Sequence, residues 1–330
     1  MPVMSRGFAL LQAIQYEMQQ SPFVTYQAQG SRPSATRPDG KVINLYDEFG
    51  WLRLAADRGA PIDEMWMSGI ATGFGFAGGK SVVPLPGMAN FYPMDIIQNQ
   101  LGAMMGMSGG QIKPSVVVLL GGGGRQAGPA AQHVRAEEAS SYANVPGIKL
   151  VVPHKVYDVK GIMHAAMRDG GAVVYFNYTT EASADIPDAP YVTPIGKANI
   201  LQEGTDITVA VIPPANLEFE KALSEMQKED PTVGKISVEY FDPVSLKPFD
   251  RDALVKSVKK TGRLLGVTHG HYTADFTAHI LAEAAQYVPG AKMRRIAFPD
   301  VPGPFSREMI EWLTPRAAQI KDAIQKTARL

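Results

Sequence analysis

Four groups of residues in this sequence have types and spacings that suit chemistry. Asp63 and Glu64 stand together in "GAPIDEMWMSGIATGFGFAGGK", residues 59–80, at the head of an apolar run rich in glycine and alanine. Carboxylates in a first helical turn offset the helix dipole. This helix reads as too apolar for a surface helix, so its leading carboxylates belong at a boundary other than open water. The run Gly121 to Gly124 follows the strand-like "PSVVVLL". A glycine loop after a strand can admit a phosphate. It fits neither the P-loop nor the GxGxxG pattern, so we read it as a loop where another backbone or a ligand comes close. His133, in "AAQHVRAEE", is either a proton carrier or ligand-orienting group, or an ordinary histidine at a helix start. His269 and His271 form an H-x-H whose rings share one face of an extended chain. That spacing suits a metal, but no third ligand stands nearby, and loop histidines at a subunit interface are the preferred reading.

These residues need elements to hold them. The seven runs "PSVVVLL", "IKLVVP", "AVVYFNY", "DITVAVI", "KISVEYF", "RLLGVTH" and "MRRIAF" read as strands covered on both faces. Amphipathic segments alternate with them: "GFALLQAIQYEMQQ", "YDVKGIMHAAMRDG", "LEFEKALSEMQKE", "DRDALVKSVKKTG" and "ADFTAHILAEAAQYV". The alternation predicts an α/β fold with two domains and mainly parallel sheets flanked by helices. A stretch rich in Pro, Asp, Ser and Thr breaks the pattern at "TTEASADIPDAPYVTPIGKANI". It divides the chain into a domain at 1–182, a linker at 183–195 and a domain at 196–330.

The 330 residues carry no net charge, which argues against nucleic acid as the main partner. An apolar fraction of 45% suits a large core and a large buried interface. Without cysteine there is neither a disulfide nor a thiolate metal site. No run reaches the length of a membrane span and none reads as a signal peptide, so a soluble cytoplasmic protein is expected.

Several stretches, in order, resemble one family: "QAIQYEMQQSPFV", "APIDEMWMSGIATGFGFAG", "QNQLGAMMGMSGGQ", "QHVRAEEASSYANVPGIKLVVPHKVYDVKGIMHAAMRDGGAVVYF", "PIGKANILQEGTDITV" and "FDPVSLKPFDRDALVKSVKKTGRLLGV". The chain is similar, nearly end to end, to the β subunit of the thiamine-diphosphate-dependent E1 component of 2-oxoacid dehydrogenases, in the transketolase-like superfamily. The resemblance implies a pyrimidine-binding domain followed by a transketolase C-terminal-like domain that helps assemble the dimer. It also implies an α2β2 heterotetramer with an α subunit of E1 type. The α chain would hold the diphosphate and Mg²⁺ through a GDG motif, which is absent here.

On that resemblance Glu64, in "PIDE", takes the place of the glutamate in the family's "PISE", facing N1′ of the aminopyrimidine. The role needs a carboxyl group whose proton affinity is raised in a dry interface. Ile62 would line the aminopyrimidine pocket, and Phe91 or Tyr92 would pack on its ring. Gly69, Ala71 and Gly73 would let the helix pack closely at a subunit interface. His133 would orient substrate or assist acyl transfer. A structural K⁺ would sit around "NVPGIKL" and "MRDGG".

The sequence departs from the family near this site. Gln29 replaces an acidic residue, and Pro86 stands near the place of a glutamine that faces the cofactor. Val134 and Arg135 replace a Ser-Gln pair. Arg135 would bind a substrate carboxylate or phosphate, or pair with Glu137 or Glu138. The resemblance therefore implies a divergent enzyme that decarboxylates a 2-oxo acid, or cleaves a related ketone, and passes the product to an acceptor such as the lipoyl arm of an acyltransferase. The alternatives are a split transketolase-like ketol transferase and a non-catalytic scaffold subunit.

Overall fold

A computed structural model describes residues 1–27, 33–50, 53, 63–86, 92–121, 139–178, 180–228 and 236–330. The chain forms two compact units, Met1–Gly122 with Asn144–Ile195, and Gly123–Ala143 with Gly196–Leu330.

The first unit runs β1 (Val3–Ser5), α1 (Arg6–Gln20), β2 (Val24–Tyr26), β3 (Ser34–Thr36), β4 (Val42–Asn44), α2 (Leu45–Phe49), α3 (Glu64–Phe76) and β5 (Lys80–Pro86). A π-helical stretch (Ile96–Gly102), α4 (Met104–Met107) and β6 (Ser115–Gly121) follow. After α5 (Ala139–Ala143), which belongs to the second unit, come β7 (Ile148–Val151), α6 (Val156–Arg168), β8 (Ala172–Asn177) and β9 (Ser183–Asp185). Within this unit the main sheet has the order β7-β8-β6-β5-β2, every pair parallel. Val116 to Leu120 and Ala172 to Phe176 are all buried, as the unbroken apolar runs predicted.

Strand β5 was not legible as a strand, because Pro84 and Pro86 interrupt it. Its register explains how they are tolerated. The Lys80 N–H donates to Phe23 and the Val82 carbonyl accepts from Gln27, so even-numbered backbone groups face β2. Among the described residues the pairing with β2 stops at Val82, and the N–H groups that Pro84 and Pro86 lack would point past that end. The odd-numbered groups complete the ladder to β6.

Helices α1 and α6 pack together through a buried polar cluster. Glu17 Oε1 accepts from His164 Nδ1 at 2.7 Å and from Arg168 Nε at 2.8 Å. The stretch 183–195 is held to the same unit. β9 pairs with β1, and the buried Lys160 donates to the carbonyl oxygens of Pro187 and Asp188 at 2.7 and 2.8 Å. Tyr191 stacks on Tyr157 with centroids 4.4 Å apart.

The second unit continues with β10 (Asn199–Gln202), β11 (Ile207–Val211), α7 (Asn216–Lys228), β12 (Val238–Asp242), β13 (Ser245–Lys247), α8 (Arg251–Thr261), β14 (Arg263–His271), α9 (Phe276–Tyr287), β15 (Lys292–Phe298), α10 (Arg307–Leu313) and α11 (Ala317–Ala328). Its sheet has the order β10-β12-β11-β14-β15, parallel except for β10. Val209, Val211, Phe219, Leu265, Val267, Ile320 and Ile324 form its core on the side of α7 and α11. The helices start where short polar side chains cap them: Asp250 accepts from Ala253 N–H, and Asp275 from Thr277 N–H. Gly262 ends α8 in the left-handed conformation, at φ 67°. Both units are thus α/β, with mainly parallel sheets flanked by helices.

Candidate functional site

The two leading carboxylates of α3 divide their work. Asp63 is the N-cap, extended at φ −151°, and its side chain accepts from Trp66 N–H at 2.9 Å. Glu64 is the first helical residue and is half-buried. Asp63 therefore caps the helix start. A tight turn joins α3 to β5, and the two elements pack together while running in opposite directions. Glu64 consequently lies at the C-terminal end of the parallel strands, where ligands of open α/β sheets bind. In sequence, Phe91 follows the end of β5 and His133 follows the end of β6.

The faces of α3 differ sharply. Met67, Ser68, Ala71, Thr72 and Gly75 are buried, and Met65, Trp66, Gly69, Gly73 and Phe76 are exposed. Gly75 packs closely inside the unit, where a Cβ would lie 3.0 Å from Val116 Cγ2. At Gly73 a Cβ would meet nothing within 4 Å among the described residues. At Gly69 it would make one ordinary contact, with Ile96 at 3.9 Å. Packing among the described residues therefore does not demand these two glycines. Ala71 is fully buried and faces the core, which corrects its grouping with Gly69 and Gly73 as an interface residue.

Sequence reading missed the buried hydroxyls beneath Glu64. Ser68 and Thr72 lie one and two turns along the helix on the same side. Both are buried, and neither Ser68 Oγ nor Thr72 Oγ1 has a hydrogen-bond partner among the described residues. Gln27, just after β2, is buried with Oε1 likewise unpartnered. The i, i+4, i+8 spacing of Glu64, Ser68 and Thr72 was visible in the sequence; Gln27 carried no such signal.

Ile62, Phe91, His133 and Arg135 lie outside the described residues, as do Gln29, Val134 and the side chain of Pro86. Tyr92 is described and is 65% exposed. The H-x-H pair is not in a loop. Both histidines belong to β14, where His269 is buried and His271 Nδ1 lies 2.9 Å from the Pro299 carbonyl oxygen. Among the described residues no group of three or more His, Cys, Asp or Glu is placed to hold a metal ion. No helix of the described residues is long and apolar enough to cross a membrane.

Two family models match this architecture: transketolase, pyrimidine binding domain, over residues 58–183, and transketolase, C-terminal domain, over residues 196–320. A solved structure named "Split gene transketolase, inactive beta4 tetramer" shares the fold, with a TM-score of 0.77, 18% identity and 99% of each chain covered. The chain is thus of the transketolase-like class. Among curated proteins, the mitochondrial pyruvate dehydrogenase E1 component subunit beta of Chaetomium thermophilum is 33% identical, over 87% of this chain and 75% of that one. Its counterparts from Rickettsia felis (32% identity, 86% and 85% covered) and Bacillus subtilis (31% identity, 82% of each) agree. The chain belongs to the E1 β-subunit family, as a divergent member.

Proposed function

We propose that this chain is the β subunit of a two-chain thiamine-diphosphate enzyme that decarboxylates a 2-oxo acid, or cleaves a related ketone. The acyl or aldehyde unit passes to an acceptor such as a lipoyl arm. One observation carries the reading: Glu64, half-buried just after the Asp63 cap, heads a helix whose face of Trp66, Gly69, Gly73 and Phe76 is exposed among the described residues. The names of the relatives, all pyruvate dehydrogenase E1 β subunits, support the same conclusion.

The residues present fit half of a cofactor site: a half-buried carboxyl group, with unpartnered buried oxygens on the same helix and on Gln27. When bound, thiamine diphosphate supplies an electron sink for the charge that develops as the substrate bond breaks. Glu64 would hold a proton at N1′ of the aminopyrimidine, and a covering chain would keep water from that proton. Ile62 would line the ring, Phe91 or Tyr92 would pack on it, His133 would orient the substrate or assist acyl transfer, and Arg135 would bind a substrate carboxylate or phosphate, or pair with Glu137 or Glu138. The diphosphate and Mg²⁺ fall to an α subunit of E1 type in an α2β2 heterotetramer, since this chain lacks the GDG motif. The pyrimidine-binding domain is taken as 1–182, with the C-terminal domain at 196–330. A K⁺ near Asn144–Leu150 and Met167–Gly171 is consistent with the close backbone approach of Gly147 to the Gly102 carbonyl. The cytoplasm is the proposed compartment.

The test is to co-express the chain with the α-type subunit encoded beside it, and to assay 2-oxo acids with a lipoyl acceptor. Decarboxylation that disappears in Glu64→Gln supports the reading. Ketol transfer between sugar phosphates, with no 2-oxo acid turnover, would transfer it to the split-transketolase alternative that the structural neighbour's name favours. Absence of any turnover with the cofactor bound would leave a scaffold.

A further inference from the structure

The second unit has a groove of about 820 Å³ along β15, walled by α9 and α11. Among the described residues β15 ends the sheet order and pairs only with β14. The direction of its backbone groups can be read from its ends. The Lys292 N–H donates to the Gly262 carbonyl, and the Phe298 carbonyl accepts from Tyr272 N–H. Even-numbered residues therefore turn their backbone groups toward β14. Met293, Arg295 and Ala297 turn theirs outward, to the free edge.

Side chains confirm the alternation. Ile296 packs on the core built from Ile320 and Ile324 of α11. Arg295 goes to the other face, pairing with Asp275 and lying 3.8 Å from the Tyr272 ring centroid. The free edge thus runs between two helices, with apolar walls supplied by Leu281, Met293, Ala318 and Ala323.

A bare edge strand is an aggregation hazard, and cationic side chains are a common way to blunt it. Lys292 and Arg294 serve that end here: both are exposed, and no ion pair engages either among the described residues. Blunting alone requires no groove with apolar walls. The groove's acidic group, Asp322, is already paired with Lys326 at 2.7 Å, and Asp275 beside it with Arg295. A second copy of this chain would bring two Lys292–Arg294 sets together, and like charges across paired strands repel. An extended acidic segment would meet the outward backbone groups and the free cations at once.

We propose that the free edge of β15 is a strand-addition site for an extended acidic segment of a partner protein, with alternate residues seated against α9 and α11. This does not depend on the activity assigned to the first unit.

The probe is a fluorescein-labelled octapeptide of alternating Glu and Val, titrated into the full-length protein, with a Lys-Val octapeptide as control. The acidic peptide binds and the basic one does not. Hydrogen exchange then slows at the amides of Met293, Arg295 and Ala297, while those of Arg294 and Ile296 are protected with or without peptide. Ala297→Pro removes one outward donor and no bond to β14. It weakens binding by roughly tenfold, as does Arg294→Glu, with the thermal midpoint of the protein retained. Equal binding of both peptides would overturn the proposal. So would protection elsewhere in the chain, or unchanged affinity in both variants. Self-association of the protein through this edge without peptide would assign it to a second copy instead.

Discussion

Helices α3 and α6 are both thirteen residues long and both lie against the first-unit sheet, yet their surroundings invert what their compositions suggest. α6 carries Asp158, Lys160, His164 and Arg168 but buries ten of its residues; α3 carries one charge, Glu64, and buries five. The charged helix is enclosed because its chain supplies partners: Glu17 for His164 and Arg168, and two carbonyl oxygens for Lys160. The apolar helix is left open, with Trp66, Gly69, Gly73 and Phe76 outward. The burial of α6 serves the fold, and under the proposed function the exposure of α3 serves assembly.

Substitutions on the two helices should therefore fail in different assays. The largest effect is expected from Glu64→Gln, which should lower turnover of the assembled enzyme by about 10²–10⁴-fold while leaving assembly intact. Near-normal turnover with cofactor bound would remove α3 from the chemistry. Gly73→Leu separates stability from association. The isolated chain should gain roughly 0.5–1 kcal/mol from helix propensity, since a Cβ at Gly73 meets nothing within 4 Å among the described residues. Association with the α-type partner should weaken by about 2–4 kcal/mol. Thermal melting of the chain and titration with the partner check both halves, and unimpaired association would break the comparison.

On α6 the pattern reverses. Lys160→Met strands the carbonyls of Pro187 and Asp188, and should cost about 2–4 kcal/mol of stability in a denaturant titration. Partner affinity of the folded protein should not change. The smallest effect is at Glu17. Burial alone would raise its proton affinity, but hydrogen bonds and charge from His164 and Arg168 outweigh this and hold its pKa below the ordinary 4.5. The stabilisation is present above the unfolded value and is lost as pH falls through the lower folded one. Glu17→Gln should therefore destabilise at neutral pH by about 1–2 kcal/mol and flatten the acid limb of a stability–pH profile. An unaltered acid limb would show that the carboxylate does not link α1 to α6 in this way.

Much of this was legible in the sequence, for identifiable reasons. The Val-rich runs of β6 and β8 and the helical periods of α1, α6, α8 and α9 are local signals, and the structure has those elements. β5 was hidden because its prolines are tolerated only where β2 has already ended, which is a fact of register and not of composition. Direction on a helix was legible only in part: the spacing suggested that Gly69, Ala71 and Gly73 act together, whereas 3.6 residues per turn puts Ala71 against the core. The family resemblance singled out Glu64, whereas the cap role of its neighbour Asp63 became clear only from the hydrogen bond to Trp66 N–H. Nothing local marked Gln27 or the groove along β15, because both depend on which strands end a pairing.

The central claim is that this chain holds half of a site and another chain holds the rest. Mass and cofactor analysis of the protein purified alone, and after co-expression with its α-type partner, test that most directly. The account predicts thiamine diphosphate and Mg²⁺ retained in a heterotetramer and absent from the chain alone. Cofactor held by a homo-oligomer of this chain, or a heterotetramer unable to retain it, would contradict the account.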